Sequence, residues 1–211
     1  MLIKVGTVLI AALMALSGLA TLTVNSGLAR FTGQKSNTND TFTSADCFPG
    51  DTGLLDPSAN AAGTGGGFEL NPTNAYTDGS GYASNIDGPG DRHRYYNYNT
   101  SIKSSCAIDG IRVRLEWWLD STSDTNSMSV ELSWNGGASW TAAKTDSQES
   151  TSEHTATLGG PTNTWGRTWT VGELSNANFR VRLTSDCSGS GCSSRDFFLD
   201  WVPARIYYGP S

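Results

Sequence analysis

The sequence feature that most constrains the fold is a two-residue alternation that runs from Ile111 to Leu119. The apolar positions are Ile111, Val113, Leu115, Trp117 and Leu119, and between them lie Arg112, Arg114, Glu116 and Trp118. Because successive side chains of a β-strand point to opposite faces, this period predicts a strand with one buried and one exposed face.

Further strands follow the same pattern. Met128–Trp134 alternates and runs into Asn135-Gly136, a strong hairpin signal. Phe179, Val181 and Leu183 alternate with arginines, and a last strand is predicted over Phe197–Tyr208, where Pro203 indicates an edge or a bulge. No segment after residue 40 shows a helical period. We therefore expect roughly eight strands in an antiparallel, jelly-roll-like β-sandwich.

Composition supports this class of domain. The chain has 24 glycines and only 16% charged residues, which suits a β-rich extracellular domain. Seven each of Trp, Tyr and Phe supply the apolar area of a sandwich core. The net charge of −6 argues against a nucleic-acid partner, because nucleic acids favour basic surfaces.

The four cysteines fit no metal site, since only two are close in sequence and no histidine lies near them. In an exported protein they indicate two disulfides. Cys187 and Cys192 enclose a short flexible loop, which leaves Cys47 to pair with Cys106. Free buried thiols are the alternative.

The opening segment, residues 1–31, is almost uninterruptedly apolar from Val5 to Val24. A secretory signal peptide would end near Gly27-Leu28-Ala29, although the apolar run is longer than usual. A single membrane anchor is a second interpretation, because about twenty apolar residues span a bilayer. A third is an assembly helix, in which small residues allow close packing against other copies.

The segments Gly6-Thr7-Val8-Leu9-Ile10, Val24-Asn25-Ser26-Gly27 and Gly33-Gln34-Lys35-Ser36 resemble the N-terminal helix of archaellins, filament subunits of the type IV superfamily. The resemblance implies a helix over 1–31 that packs in a filament core, a connector over 32–46 and an outer β-sandwich over 47–211. No basic leader precedes Met1, and Val5 replaces the glutamate of many bacterial pilins. The implied core residues are Val5, Gly6, Thr7, Leu9, Leu13, Leu16, Gly18, Leu22, Asn25 and Gly27.

One other resemblance competes with this one, and two further resemblances concern the outer domain. Ala29-Arg30-Phe31-Thr32 and Asn39–Ser44 are similar to the mature start of TasA-type matrix fibre proteins, which are secreted. Cys106–Leu119, Ser133–Lys144, Leu158–Trp169 and the final Tyr207-Tyr208 resemble a β-sandwich domain common on bacterial surface proteins. Ser133–Trp140 is also similar to the Asp-box turn of sialidases, with Asn135 in the usual Asp position, and implies a hairpin brace.

No catalytic or metal site is predicted. His93 and His154 lie in polar surroundings and are expected to be solvated, and no G-x-S-x-G motif is present. Asp87 and Asp91 have the oxygen chemistry of a calcium loop, but a solvated glycine turn is the preferred interpretation. Trp118 offers a surface on which a sugar can stack, although burial in the core is the commoner fate of tryptophan.

The sequence thus favours a non-enzymatic, homopolymeric filament subunit at the cell surface that passes through the membrane before assembly and needs no cofactor. The alternative is a secreted fibre protein, or a surface adhesin or carbohydrate-binding β-sandwich with a glycan ligand. Sequons at Asn39 and Asn99 permit N-glycosylation.

Overall fold

A computed structural model describes residues 47–86 and 90–211. Two antiparallel sheets face each other over these residues and enclose a single hydrophobic core. The strands are β1 (Gly50–Asp51), β2 (Ala59–Ala62), β3 (Ala83–Asn85), β4 (Asp91–Tyr96), β5 (Cys106–Leu119), β6 (Thr125–Ser133), β7 (Lys144–Asp146), β8 (His154–Gly159), β9 (Arg180–Ser188), β10 (Phe197–Trp201) and β11 (Ala204–Pro210). Short 3₁₀ helices cover Pro72–Tyr76, Val171–Leu174 and Cys192–Ser194.

The first sheet is organised around the long strand β5. One side of β5 pairs with β8, while β11 and then β10 pair along its other side. The short strands β1 and β3 extend the sheet beyond β11 and β10 respectively. The second sheet has the order β2-β4-β9-β6-β7.

Strand β5 buries the apolar side chains of its alternating pattern, as predicted. Val113, Leu115, Trp117 and Leu119 are buried in the core, as is Ile111. The second sheet contributes Met128, Val130 and Leu132 from β6 and Val181 and Leu183 from β9 to the same core. The predicted β-sandwich is confirmed.

The C-terminal strand is divided in two. Residues Val202 and Pro203 separate β10 from β11, as expected because proline cannot donate to a ladder. A bulge precedes this break: Leu199 pairs with Trp117, but the next residue in register, opposite Glu116, is Trp201. Asp200 is therefore an extra residue in β10, and a bulge of this kind redirects side chains.

Both disulfides that the cysteine count indicates are present. One joins Cys47 to Cys106, so that the start of the described chain is attached to the beginning of β5. The other joins Cys187, in β9, to Cys192. No cysteine of the described residues is free. Disulfides are typical of proteins that function outside the cytoplasm.

The predicted fold class, a long N-terminal α-helix followed by a sandwich, is wrong. The described residues form an all-β protein whose only helices are 3₁₀ helices of three to five residues. The helix rests on an apolar run and on the resemblance to archaellins, and a uniformly apolar run has no 3.6-residue period that would specify a helix. The residues assigned to it, 1–31, lie outside the described residues, together with the connector 32–46.

Among the described residues, no helix has the length and apolarity required to cross a membrane.

Candidate functional site

The outer face of the first sheet carries a row of apolar side chains. Trp118 on β5 lies opposite Phe198 on β10, and Phe198 lies opposite Ser84 on β3. An isolated bridge continues the row from Ser84 to Leu70, whose side chain is 45% exposed. Because directly opposed residues of a sheet share a face, this row lies on the side away from the core.

Three aromatic rings meet at this row. The ring centroids of Trp118 and Phe198 are 5.4 Å apart and their planes differ by 32°. Tyr82, just before β3, stands at 75° to both rings with centroid distances of 5.2 Å, and it is 47% exposed. We call Tyr82, Trp118 and Phe198 the aromatic platform.

Trp118 differs from most tryptophans of the described residues in having no cation above its ring. Within the described residues, every tryptophan other than Trp117 and Trp118 has a lysine or arginine over its ring. Arg182, for example, lies 4.0 Å from the centroid of Trp140. Trp117 is fully buried. Trp118 is therefore the tryptophan, among the described residues, whose ring is partly exposed and has no cation over it.

Carboxylates lie beside the platform on the same sheet. Glu116 is two residues from Trp118 and forms an ion pair with Arg114. Asp200, in the bulge, accepts a hydrogen bond of 3.0 Å from the Gly79 N–H. Oxygen atoms of Glu116, Asp200 and the exposed Asp78 lie within 4.8 Å of one another.

Burial and crowding of negative charge shape this carboxylate cluster. Burial raises the pKa of Glu116; Arg114 opposes the shift, while Asp78, Glu153 and Asp200 add to it. The pKa of Glu153 is raised in the same direction, first by burial and then by Asp200 and Asp78. Four carboxylates are therefore gathered around one guanidinium.

A shallow cleft of about 210 Å³ lies on the second sheet and is lined by Arg92, Arg94, Arg182 and Trp140. Its charge suggests an anionic ligand. However, Arg182 forms an ion pair with Glu131 at 2.5 Å and covers the Trp140 ring, so its charge and the aromatic face are already used within the fold. We regard the cleft as the weaker candidate.

The histidine prediction is wrong for His93, which is 2% exposed. Its Nδ1 accepts a hydrogen bond from the Phe68 N–H at 3.2 Å, and its Nε2 lies 3.0 Å from Asn60 Oδ1. These partners require a neutral ring that donates from Nε2. Burial, and secondarily Arg94, lower its pKa to about 4. This histidine is part of the core.

His154 is not solvated either, because its side chain is largely buried. Its Nε2 lies 2.9 Å from Asp146 Oδ2, which also accepts a hydrogen bond of 2.8 Å from the Trp117 indole N–H. This arrangement joins β5, β7 and β8, and within the part of the chain that the structure describes it brings no nucleophile to the imidazole. We assign it a structural role.

The remaining predicted positions are dispersed. Asp87, of the considered calcium loop, and Asn39, of the first sequon, lie outside the described residues, as do the filament-core residues from Val5 to Gly27. Asp91 belongs to β4, where burial and Glu69 raise its pKa. Asn99 is exposed, and its glycosylation stays a prediction.

In the Asp-box-like turn, the side chains of Ser133 and Asn135 accept hydrogen bonds from main-chain N–H groups. Asn135 Oδ1 accepts a hydrogen bond of 2.8 Å from the Ser139 N–H. Ser133 Oγ accepts from the Asn135 and Gly137 N–H groups at 3.3 and 2.8 Å. These bonds close the turn after β6 and leave no group poised for catalysis.

No family model and no curated protein matches this chain. Several solved structures of carbohydrate-binding modules are similar in fold. CBM35 from Cellvibrio japonicus Abf62 has a TM-score of 0.38 and 17% identity over 74% of this chain and 92% of its own. TmCBM61 in complex with β-1,4-galactotriose has a TM-score of 0.37 and 7% identity over 69% and 86%.

A truncated AlyQ with CBM32 and alginate lyase domains gives a TM-score of 0.37 and 13% identity over 77% of this chain. This chain spans 35% of the length of that protein. The described residues give no support to the filament interpretation, whose assigned helix lies outside them.

Proposed function

We propose that this protein is a non-catalytic carbohydrate-binding β-sandwich of the extracellular space or cell surface, and that it binds glycans on the aromatic platform. The observation that carries the proposal is the group formed by Tyr82, Trp118 and Phe198. Their rings gather on one outer sheet face, and no cation of the described residues lies over them. A pyranose ring has one apolar C–H face, which stacks on an aromatic ring, and hydroxyls that require polar partners.

The size of the platform favours a small ligand over a protein partner. An aromatic side chain buries roughly 150–250 Å² when it is fully covered. Trp118 and Phe198 are only partly exposed, so the exposed aromatic surface of the platform that a ligand could cover is a few hundred Å² at most. A stable protein interface buries about 800 Å² on each side. A short run of sugar rings matches the available surface better.

Polar groups suited to sugar hydroxyls lie on the same face. Thr155 and Thr157 on β8 are exposed and pair with Glu116 and Arg114 of β5, so they share the outer face with Trp118. Hydroxyls and carboxylates next to an apolar surface are the combination that fixes a ligand's orientation.

An array of neutral and acidic polysaccharides, probed with the full chain, would identify the ligand, and calorimetry would measure its affinity. We expect Trp118→Ala to weaken binding about tenfold or more, which corresponds to about 1.4 kcal/mol. Trp140→Ala is the matched control, because Trp140 lies in the basic cleft under Arg182 and should leave the affinity unchanged.

Two results would overturn the proposal. One is a full chain that binds no polysaccharide on the array. The other is loss of binding in Trp140→Ala with retention in Trp118→Ala, which would place the site in the cleft on the second sheet.

A further inference from the structure

The carboxylates beside the platform contain oxygen atoms that the fold leaves without partners. Glu116 is 4% exposed and Asp200 is 5% exposed. Glu116 Oε1 pairs with Arg114 and lies 3.4 Å from the Thr155 hydroxyl, whereas Glu116 Oε2 accepts no hydrogen bond within the described residues. Asp200 Oδ2 accepts from Gly79, whereas Asp200 Oδ1 is likewise buried and unpaired in this part of the chain.

Unpaired buried carboxylate oxygens are costly. A buried polar atom that lacks a hydrogen bond destabilises the folded state, and more so when the group is charged. Asp78 and Glu153 add two negative charges nearby, and among the described residues Arg114 is the group that opposes them. A ligand of positive charge would relieve both the unpaired oxygens and the repulsion.

The backbone holds this arrangement in place. The bulge in β10 puts Asp200 into the strand as an extra residue beside Glu116. The Gly79 N–H, next to Asp78 in the chain, donates to Asp200 and so fixes the loop that carries Asp78 against β10. Three segments that are distant in sequence are thereby brought to one point, with Asp78 open to solvent.

We propose that Asp78, Glu116 and Asp200 form a binding site for a divalent cation of the calcium type. Ca²⁺ takes six to eight oxygen ligands at about 2.3–2.6 Å in flexible geometry, and oxygens within 4.8 Å of one another fit around one such ion. Water on the exposed side at Asp78 completes the coordination. Mg²⁺ is a poorer fit, because it requires shorter bonds of about 2.0–2.1 Å and near-ideal octahedral geometry.

Titration of the EDTA-treated full chain with CaCl₂, followed by calorimetry and by thermal unfolding, tests this site. We expect a dissociation constant in the range of about 10⁻⁴–10⁻³ M, typical of extracellular calcium modules. Tm should rise with calcium concentration, because an ion that binds only the folded state stabilises it. MgCl₂ should bind more weakly.

Asp78→Asn is the decisive variant, since Asp78 is exposed and its replacement should not disturb folding. We expect it to weaken calcium binding by at least about tenfold, as substitutions in the surroundings of a metal already cost 10–100-fold. Glu116→Gln should weaken binding at least as much. Asp109→Asn, an exposed carboxylate on β5 outside the cluster, is the control and should bind as the wild type does.

The proposal is overturned if the wild type shows neither heat nor a Tm shift at about 10 mM calcium, a concentration ten times the weaker limit given above. It is also overturned if Asp78→Asn binds calcium as tightly as Asp109→Asn, or if magnesium binds more tightly than calcium. The competing explanation, a proton shared by Glu116 and Asp200, predicts no calcium response. Neither readout involves a glycan, so this test is independent of the carbohydrate proposal.

Discussion

Trp118 and Phe198 occupy directly opposed positions of β5 and β10, on the face of the sheet that points away from the core. Their ring centroids lie 5.4 Å apart, within the range in which aromatic rings attract each other. Both side chains are partly exposed, and an apolar surface patch of this kind is a candidate interaction site.

We predict that Trp118 and Phe198 are energetically coupled in the unbound protein. A double-mutant cycle of Trp118→Ala and Phe198→Ala, followed by urea unfolding, should give a coupling free energy of about 0.5–1.5 kcal/mol. Trp118→Ala combined with Trp140→Ala is the control, because the two residues belong to separate surfaces and their effects should add. Additivity in the first cycle would show that the two rings do not support each other.

Sequence alone could predict the strand that carries Trp118 but not the platform. Alternation places Trp118 on the charged face of β5, where its ring offers a surface on which a sugar can stack. The other two rings come from Tyr82 and Phe198, each about forty to eighty residues away, and only strand register brings them together. Pairing between non-consecutive strands leaves no local signal in the sequence.

The pH dependence of stability should reflect His93. Its pKa is lowered to about 4 in the folded state, against 6.5 for an ordinary histidine. Between these values the unfolded chain binds a proton that the folded chain does not, so the free energy of unfolding should fall as pH drops from about 6.5 towards 4. A pKa shift of this size corresponds to a loss of roughly 3 kcal/mol in the free energy of unfolding.

Urea unfolding of the wild type and of His93→Gln at several pH values would measure this effect. Glutamine keeps an N–H donor for Asn60 but does not titrate, so the variant should be less stable at neutral pH and should lose much of the decline between pH 6.5 and 4. The same decline in both proteins would show that groups other than His93 control the loss of stability at acidic pH.

His93 also shows how a correct pattern can be read incorrectly. Its neighbours Arg92 and Arg94 suggest a solvated segment, yet His93 and Tyr95 alternate with them and both are buried. The two-residue period was therefore present in β4, although histidine did not count as an apolar residue. The carboxylate cluster had no such signal, because its geometry depends on the bulge at Asp200.

The two disulfides should contribute unequally to stability. Cys47 and Cys106 are separated by 59 residues and Cys187 and Cys192 by 5. The entropy that a disulfide removes from the unfolded chain grows with the logarithm of the length of the loop that it closes. The Cys47–Cys106 disulfide should therefore add about 4 kcal/mol to the free energy of unfolding, and the Cys187–Cys192 disulfide about 2 kcal/mol.

Paired replacement by alanine, Cys47→Ala with Cys106→Ala and Cys187→Ala with Cys192→Ala, would separate the contributions by urea unfolding. The first pair should lower the free energy of unfolding about twice as much as the second. Equal losses would mean that interactions in the folded state, and not loop closure, determine the effect.

Gly159 and Gly166 form a matched pair, since both adopt a φ of +78°. Around Gly166 nothing lies within 4 Å of an added Cβ, so Gly166→Ala should cost only the left-handed conformation, about 1–2 kcal/mol. At Gly159 an added Cβ would lie 2.2 Å from Ile111 O and 2.7 Å from Trp165 Nε1.

Those two atoms share a hydrogen bond of 2.9 Å that joins Trp165 to β5. Gly159→Ala would push them apart and leave the buried indole N–H without its acceptor, which adds roughly 1–3 kcal/mol to the conformational cost. We therefore expect Gly159→Ala to destabilise the protein clearly more than Gly166→Ala in urea unfolding, with a blue-shifted or broadened tryptophan emission in the former alone. Equal destabilisation would mean that the contact between β8 and Trp165 gives way without cost.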